Sequence, residues 1–181
     1  VGLYVQDLNG YPINGSGDYS ITQTMYYQEE LGEAGAIIAL SYDYINNQVA
    51  DQKVPIEIYM METDDTSLYA YNDGQARGNF KPGSEFTLMY NDSLEFMGSG
   101  SHHTIRIPLD EPFIYSGNKN VIIMMYRKAT EDYFSISFKG SYDGLPTHYR
   151  SMNAYQYYDP MDLDDTTTLN SQGYYYLSDD L

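Results

Sequence analysis

Between residues 86 and 126 short apolar runs alternate with turn clusters. Phe86, Leu88 and Tyr90 fall on one strand face, and Asn91-Asp92 turns the chain. Leu94 and Phe96 resume the alternation until Gly98-Ser99-Gly100 breaks it. Ile105, Ile107 and Leu109 repeat at period two, and Pro112 and Ser116-Gly117-Asn118 bracket Phe113 and Tyr115. Period-two alternation cut by Gly, Asn and Asp predicts antiparallel strands. Residues 121–126 are apolar on both faces and too few for a helix, which predicts a strand at the centre of a packed sandwich.

The flanks extend the pattern. Residues 3–8 form a strand candidate. In 19–27, Tyr19, Ile21, Gln23 and Met25 face one side and Ser20, Thr22, Thr24 and Tyr26 the other. Strands follow over 35–44 and 54–61. Residues 64–71 predict the one short helix, capped by Asp64 or Asp65. Phe134, Ile136 and Phe138 alternate against Tyr133, Ser135 and Ser137. Residues 148–158 are Tyr-rich and pair, 159–173 read as an acidic loop, and 174–177 close the chain as a strand. Roughly ten strands and long loops predict an all-β fold: one domain, 1–181, built as a two-sheet antiparallel β-sandwich of the jelly-roll kind.

Composition narrows the partners. A net charge of −17 repels nucleic-acid phosphates and anionic membrane surfaces, so neither is an expected partner. With no Cys there is no disulfide framework and no thiolate metal site. No apolar run reaches membrane-spanning length. The chain opens in strand-like sequence without a signal peptide, the expectation for an excised module or a processed secreted protein. Its 22 Tyr, against 6 Phe and no Trp, suit sheets and can show solvent a flat face with a hydroxyl handle.

Several blocks resemble a known group. They include Tyr19-Ser20-Ile21-Thr22-Gln23-Thr24-Met25-Tyr26 with Glu30-Leu31-Gly32, and Pro55-Ile56-Glu57-Ile58-Tyr59-Met60 with Thr66-Ser67-Leu68. Phe86-Thr87-Leu88-Met89-Tyr90, Ile105-Arg106-Ile107-Pro108-Leu109, Pro112-Phe113-Ile114-Tyr115 and Gly117-Asn118 complete the set. Over residues 19–138 the chain resembles the secreted β-jelly-roll accessory domains that Bacteroidetes attach to proteases, adhesins and glycoside hydrolases. Many of those proteins use type IX secretion. Where such domains often carry Trp, this chain has Phe80. The resemblance implies a secreted or cell-surface location and adhesion or carbohydrate binding rather than catalysis.

The candidate chemistry is that of binding. Tyr155-Gln156-Tyr157-Tyr158 and Tyr174-Tyr175-Tyr176 put Tyr on both faces of a strand. An exposed ring stacks on a sugar face while polar neighbours bind its hydroxyls. The ligand patch is therefore expected at Arg150, Asn153, Tyr155 and Tyr157, with Arg127 as a neighbour. Asp159, Asp162 and Asp164 offer oxygen ligands to a structural Ca²⁺, although the EF-hand Gly and terminal Glu are missing. His102 and His103 are adjacent and point to opposite faces of a strand, so they do not share an ion. No G-x-S-x-G elbow or H-E-x-x-H pair is present. The expectation is a monomeric, non-catalytic carbohydrate-binding module appended to a secreted catalytic domain, with polysaccharide as partner. The alternative is a protein-interaction, adhesin or spacer module.

Overall fold

A computed structural model describes residues 4–8, 10–72, 75–129, 135–142, 150–172 and 174–176. The doubly apolar run is strand β9 (Asn120–Arg127), and it does occupy a centre. Its neighbours in a six-stranded antiparallel sheet are β2 (Tyr19–Tyr26) and β4 (Gln52–Thr63). Outside these lie β11 (Ser151–Gln156) and β12 (Tyr174–Tyr176) on one flank and β7 (Thr87–Phe96) on the other. A second antiparallel sheet runs β1 (Tyr4–Leu8), β10 (Ile136–Tyr142), β3 (Gly35–Asn46), β8 (His102–Tyr115). A small hairpin joins β5 (Tyr69–Asn72) to β6 (Gln75–Gly78). Two short helices, α1 (Gln28–Leu31) and α2 (Thr166–Gln172), and one 3-10 turn, Gly83–Glu85, complete the described elements. The fold is the expected all-β, two-sheet antiparallel sandwich. In it β4 and β7 follow one another within a single sheet, and the strand order stands without the narrower jelly-roll designation.

Period two explains the core. Val121, Ile123 and Met125 of β9 meet Val54, Ile56, Ile58 and Met60 of β4 and the inward Tyr42, Tyr44, Ile107 and Phe138 of the opposing sheet. Ile122, Met124 and Tyr126 point the other way, into a second cluster with Ile21, Met25, Met152 and Ala154. Leu68, Phe80, Met161 and Leu169 cover that second face. The six-stranded sheet is thus buried on both sides, by its partner sheet and by a layer drawn from the connections around residues 64–86 and 159–172. Each fully buried Ile or Met contributes roughly 1.5–3 kcal/mol, so the outer layer adds materially to stability.

Three local expectations change. Residues 64–71 are not a helix: Tyr69–Asn72 pairs with Gln75–Gly78, and Asp65 binds Lys81 at 2.5 Å instead of capping. Asn91-Asp92 is no turn, because β7 runs through it, paired to Glu57 and Ile56. The acidic stretch contains α2, whose first turn is held by Asp165 receiving the Thr168 N–H at 3.1 Å. Residues 3, 133, 134, 148, 149 and 177, expected in strands, lie outside the described residues.

Candidate binding site

The expected ligand patch divides by strand parity. On β11, Met152 and Ala154 face the outer cluster, so Arg150 shares their side while Asn153 and Tyr155 face the other. Arg150 is 8% exposed. Its Nη1 pairs with Glu30 Oε1 at 2.5 Å and its guanidinium lies 4.0 Å over the Tyr27 ring. Asn153 is 3% exposed and accepts from Asn14 Nδ2 at 2.9 Å. Arg127 is 2% exposed. These three residues are interior and joined to other protein groups, which corrects their expected place in a surface patch. Burying their polar groups requires internal partners, and the partners are there.

Arg127 has a different task. Ser20 is paired with Tyr155 on one side and Arg127 on the other, so the three form a row across β11, β2 and β9. Segment 14–17 packs against that row. Arg127 Nε donates to Asn14 O at 2.9 Å and Nη2 to Ser16 O at 3.1 Å and Gly17 O at 2.6 Å. Ser20 Oγ donates to Asn14 O at 2.5 Å, and Thr22 Oγ1 donates to Pro12 O. Burial pulls the Arg127 guanidinium below the ordinary arginine range, and the nearby Asp18 carboxylate offsets part of that. Gly17 has φ +66°, and a Cβ there would lie 2.6 Å from Gln156 O and 3.0 Å from the Tyr155 ring. Only glycine lets the segment pass so close under Tyr155.

The clamped segment in turn fixes a tip. Asp18 N donates to Gln156 O at 3.0 Å and Tyr158 N donates to Asp18 Oδ2 at 2.9 Å. Gln156 Nε2 reaches Asp159 O at 2.5 Å and Pro160 O at 2.9 Å. Tyr158 takes φ +73°, an uncommon conformation for a non-glycine residue, which turns its side chain outward. On this tip Tyr157 is 56% and Tyr158 87% exposed. Tyr155 stands 6.0 Å from Tyr157 with ring planes at 88°, and Tyr157 stands 6.2 Å from Tyr158 at 47°. The three rings are inclined to one another rather than forming a flat plate, and this angled cluster is the tyrosine notch. Tyr158 belongs with Tyr155 and Tyr157. The signal in the sequence was its position beside Asp159-Pro160, where a strand must end.

Comparison with known proteins finds no family model that matches this chain and no curated protein or solved structure that matches it significantly. Function rests therefore on the geometry alone.

The acidic loop uses its carboxylates locally. Asp162 Oδ1 accepts from Asp164 N at 3.0 Å, and Asp164 Oδ1 accepts from Ser84 N at 2.8 Å. The bond from Ser84 holds the Asp164 carboxyl below its usual range. Asp159 is exposed beside the tip. Among the described residues no three His, Asp or Glu side chains converge as a metal site. The Asp162 and Asp164 carboxylates accept main-chain N–H groups of the loop and of Ser84, whereas Asp159 takes part through its main-chain oxygen, which accepts from Gln156. His102 and His103 line a shallow dish of about 440 Å³ with Asp43, Thr104 and Lys139 on the four-stranded sheet. Among the described residues no helix is long and apolar enough to cross a membrane.

Proposed function

We propose that the chain is a non-catalytic module that binds neutral polysaccharide through the Tyr155–Tyr157–Tyr158 notch, appended to a secreted or cell-surface enzyme. One observation carries the reading: two large rings are held in solvent by a loop whose backbone is bonded at Gly17, Asp18, Gln156 and Asp159. Exposed aromatics on a fixed support lose little entropy on binding, and that favours recognition over packing. A sugar ring presents axial C–H groups to a ring face and hydroxyls to the Tyr oxygens, Asp18 and Gln156. The net charge of −17 favours neutral over acidic glycans. Two ring contacts and a few hydrogen bonds, offset by the cost of association, set the expected affinity in the millimolar range, where a Kd of about 1 mM corresponds to roughly 4 kcal/mol.

Affinity electrophoresis and calorimetry against a panel of neutral polysaccharides test this. Tyr157→Ala and Tyr158→Ala are expected to abolish binding with melting unchanged, since neither ring contributes to the core. No glycan bound at millimolar concentration removes the reading. A second reading, a protein-interaction or adhesin module, is favoured by Ile38 and Ile114, which stand 58% and 73% exposed on β3 and β8. It predicts that Ile114→Ser, not Tyr157→Ala, disrupts the module's association.

A further inference from the structure

At the end of β2 away from the tyrosine tip lies a groove of about 520 Å³. Three connections build it: Tyr27 and α1 after β2, residues 63–66 after β4, and the turn between β8 and β9. Side-chain amides lace the three together. Gln28 N donates to Asn120 Oδ1 at 2.9 Å, and Asn120 Nδ2 donates to Asp65 O at 2.7 Å. Gln28 Nε2 donates to Gly117 O at 3.3 Å and Tyr27 Oη to Thr66 O at 3.1 Å. Gly117 has φ +82°, and a Cβ there would run into the Ala34 backbone, so the turn is seated tightly. The Tyr27 ring is backed by the Arg150 guanidinium, itself paired with Glu30. The walls are therefore formed before any ligand arrives.

The lining selects a ligand class. Asn118 Nδ2, Gln28 Oε1 and the Thr66 hydroxyl line the groove and have no hydrogen-bond partner among the described residues. One amide donor, one amide acceptor and one hydroxyl match the hydroxyls of a sugar ring, each of which donates and accepts. Lys119 is paired with Asp64 at 3.1 Å, which leaves Glu29 as the uncompensated charge in the lining and disfavours anions. The volume suits one or two sugar rings.

We infer that this groove is a second saccharide subsite, distinct from the tyrosine notch and resting on the same carbohydrate-binding reading. The eight residues of β2 separate the two by roughly 25 Å at about 3.3 Å per residue, so the module holds a polymer, or two polymers, at two points.

Calorimetry and amide-correlation NMR on the whole chain, titrated with neutral gluco-, manno- and xylo-hexasaccharides, test it. Two sites per chain are expected, with shifts at both Asn118 and Tyr157. Asn118→Ala with Thr66→Val should reduce the stoichiometry to one and leave the tip shifts intact. Tyr157→Ala with Tyr158→Ala should leave the groove shifts intact. Spectral dispersion in each variant confirms that the fold is kept. A single site insensitive to Asn118→Ala and Thr66→Val overturns the inference and keeps the notch. Binding lost only in the groove variant overturns the notch and keeps the inference. No binding at either place overturns both.

Discussion

Arg127→Met removes the charge-assisted hydrogen bonds to Asn14 O, Ser20 Oγ, Ser16 O and Gly17 O while keeping much of the side-chain volume. Asn14 O retains its bond from Ser20 Oγ at 2.5 Å, so two carbonyls, Ser16 O and Gly17 O, lose the donor that held them. An unsatisfied buried carbonyl costs about 1–3 kcal/mol, and these two are partly reachable by water, which places each near the lower end. Loss of the Asn14 contact adds to this, and relief from burying a cation subtracts. The net expectation is about 2–4 kcal/mol, or a Tm lower by roughly 5–15 °C for a domain of this size. Arg127→Lys should fall between, because a point ammonium cannot span the three carbonyls that the planar guanidinium reaches. Urea unfolding followed by circular dichroism gives the free energy. Hydrogen exchange at Asp18 N and Tyr158 N reports whether the tip loosens, since both amides depend on the clamped segment. An Arg127→Met protein within 1 kcal/mol of wild type, with both amides equally protected, would refute the clamp.

Two further outcomes follow from local chemistry. Gly17→Ala should destabilise by about 1–3 kcal/mol, since its positive φ and the close Gln156 carbonyl both oppose a Cβ; a melting curve matching wild type would exclude the strained approach. Burial raises the phenol pKa values of Tyr42, Tyr59 and Tyr126, and the Glu57 carboxylate adds to the rise at Tyr59. Groups whose folded pKa is raised lend stability that is fully present below the unfolded value of about 10 and is lost as pH rises through the folded values. Tyrosinate absorbance should therefore show a class of phenols that ionise only as circular dichroism is lost, and a smooth titration in a still-folded chain would contradict it.

Much of the frame could be read from alternation. The two faces of β2 and the doubly apolar β9 are where period two puts them, because side chains buried on both sides leave no freedom of register. What failed did so for physical reasons. A capping Asp makes 64–71 resemble a helix start, yet Tyr69 and Tyr71 fit a strand better, and Asp73-Gly74 is a hairpin signal in the sequence between the paired 69–72 and 75–78. Asn91-Asp92 passes as strand because β7 is an edge of its sheet and both residues are exposed. α2 hid behind a run of Thr, a weak helix former, but Asp165 and Leu169 marked its cap and its buried side. Arg150 and Tyr155 are close in sequence, but their odd spacing sets them on opposite faces of the strand. Nothing in the local pattern around Arg127 indicated that segment 14–17 would return to it; that contact joins residues more than a hundred positions apart.

The tip is anchored almost wholly through main-chain atoms and through the side chains of Asp18 and Gln156, not through the rings of Tyr157 or Tyr158. The frame therefore acts as a socket indifferent to what is plugged into it. If the tip binds as proposed, exchanging the two outward side chains should retune what is recognised without disturbing the fold, and the same two positions offer a ready place to graft a new recognition surface.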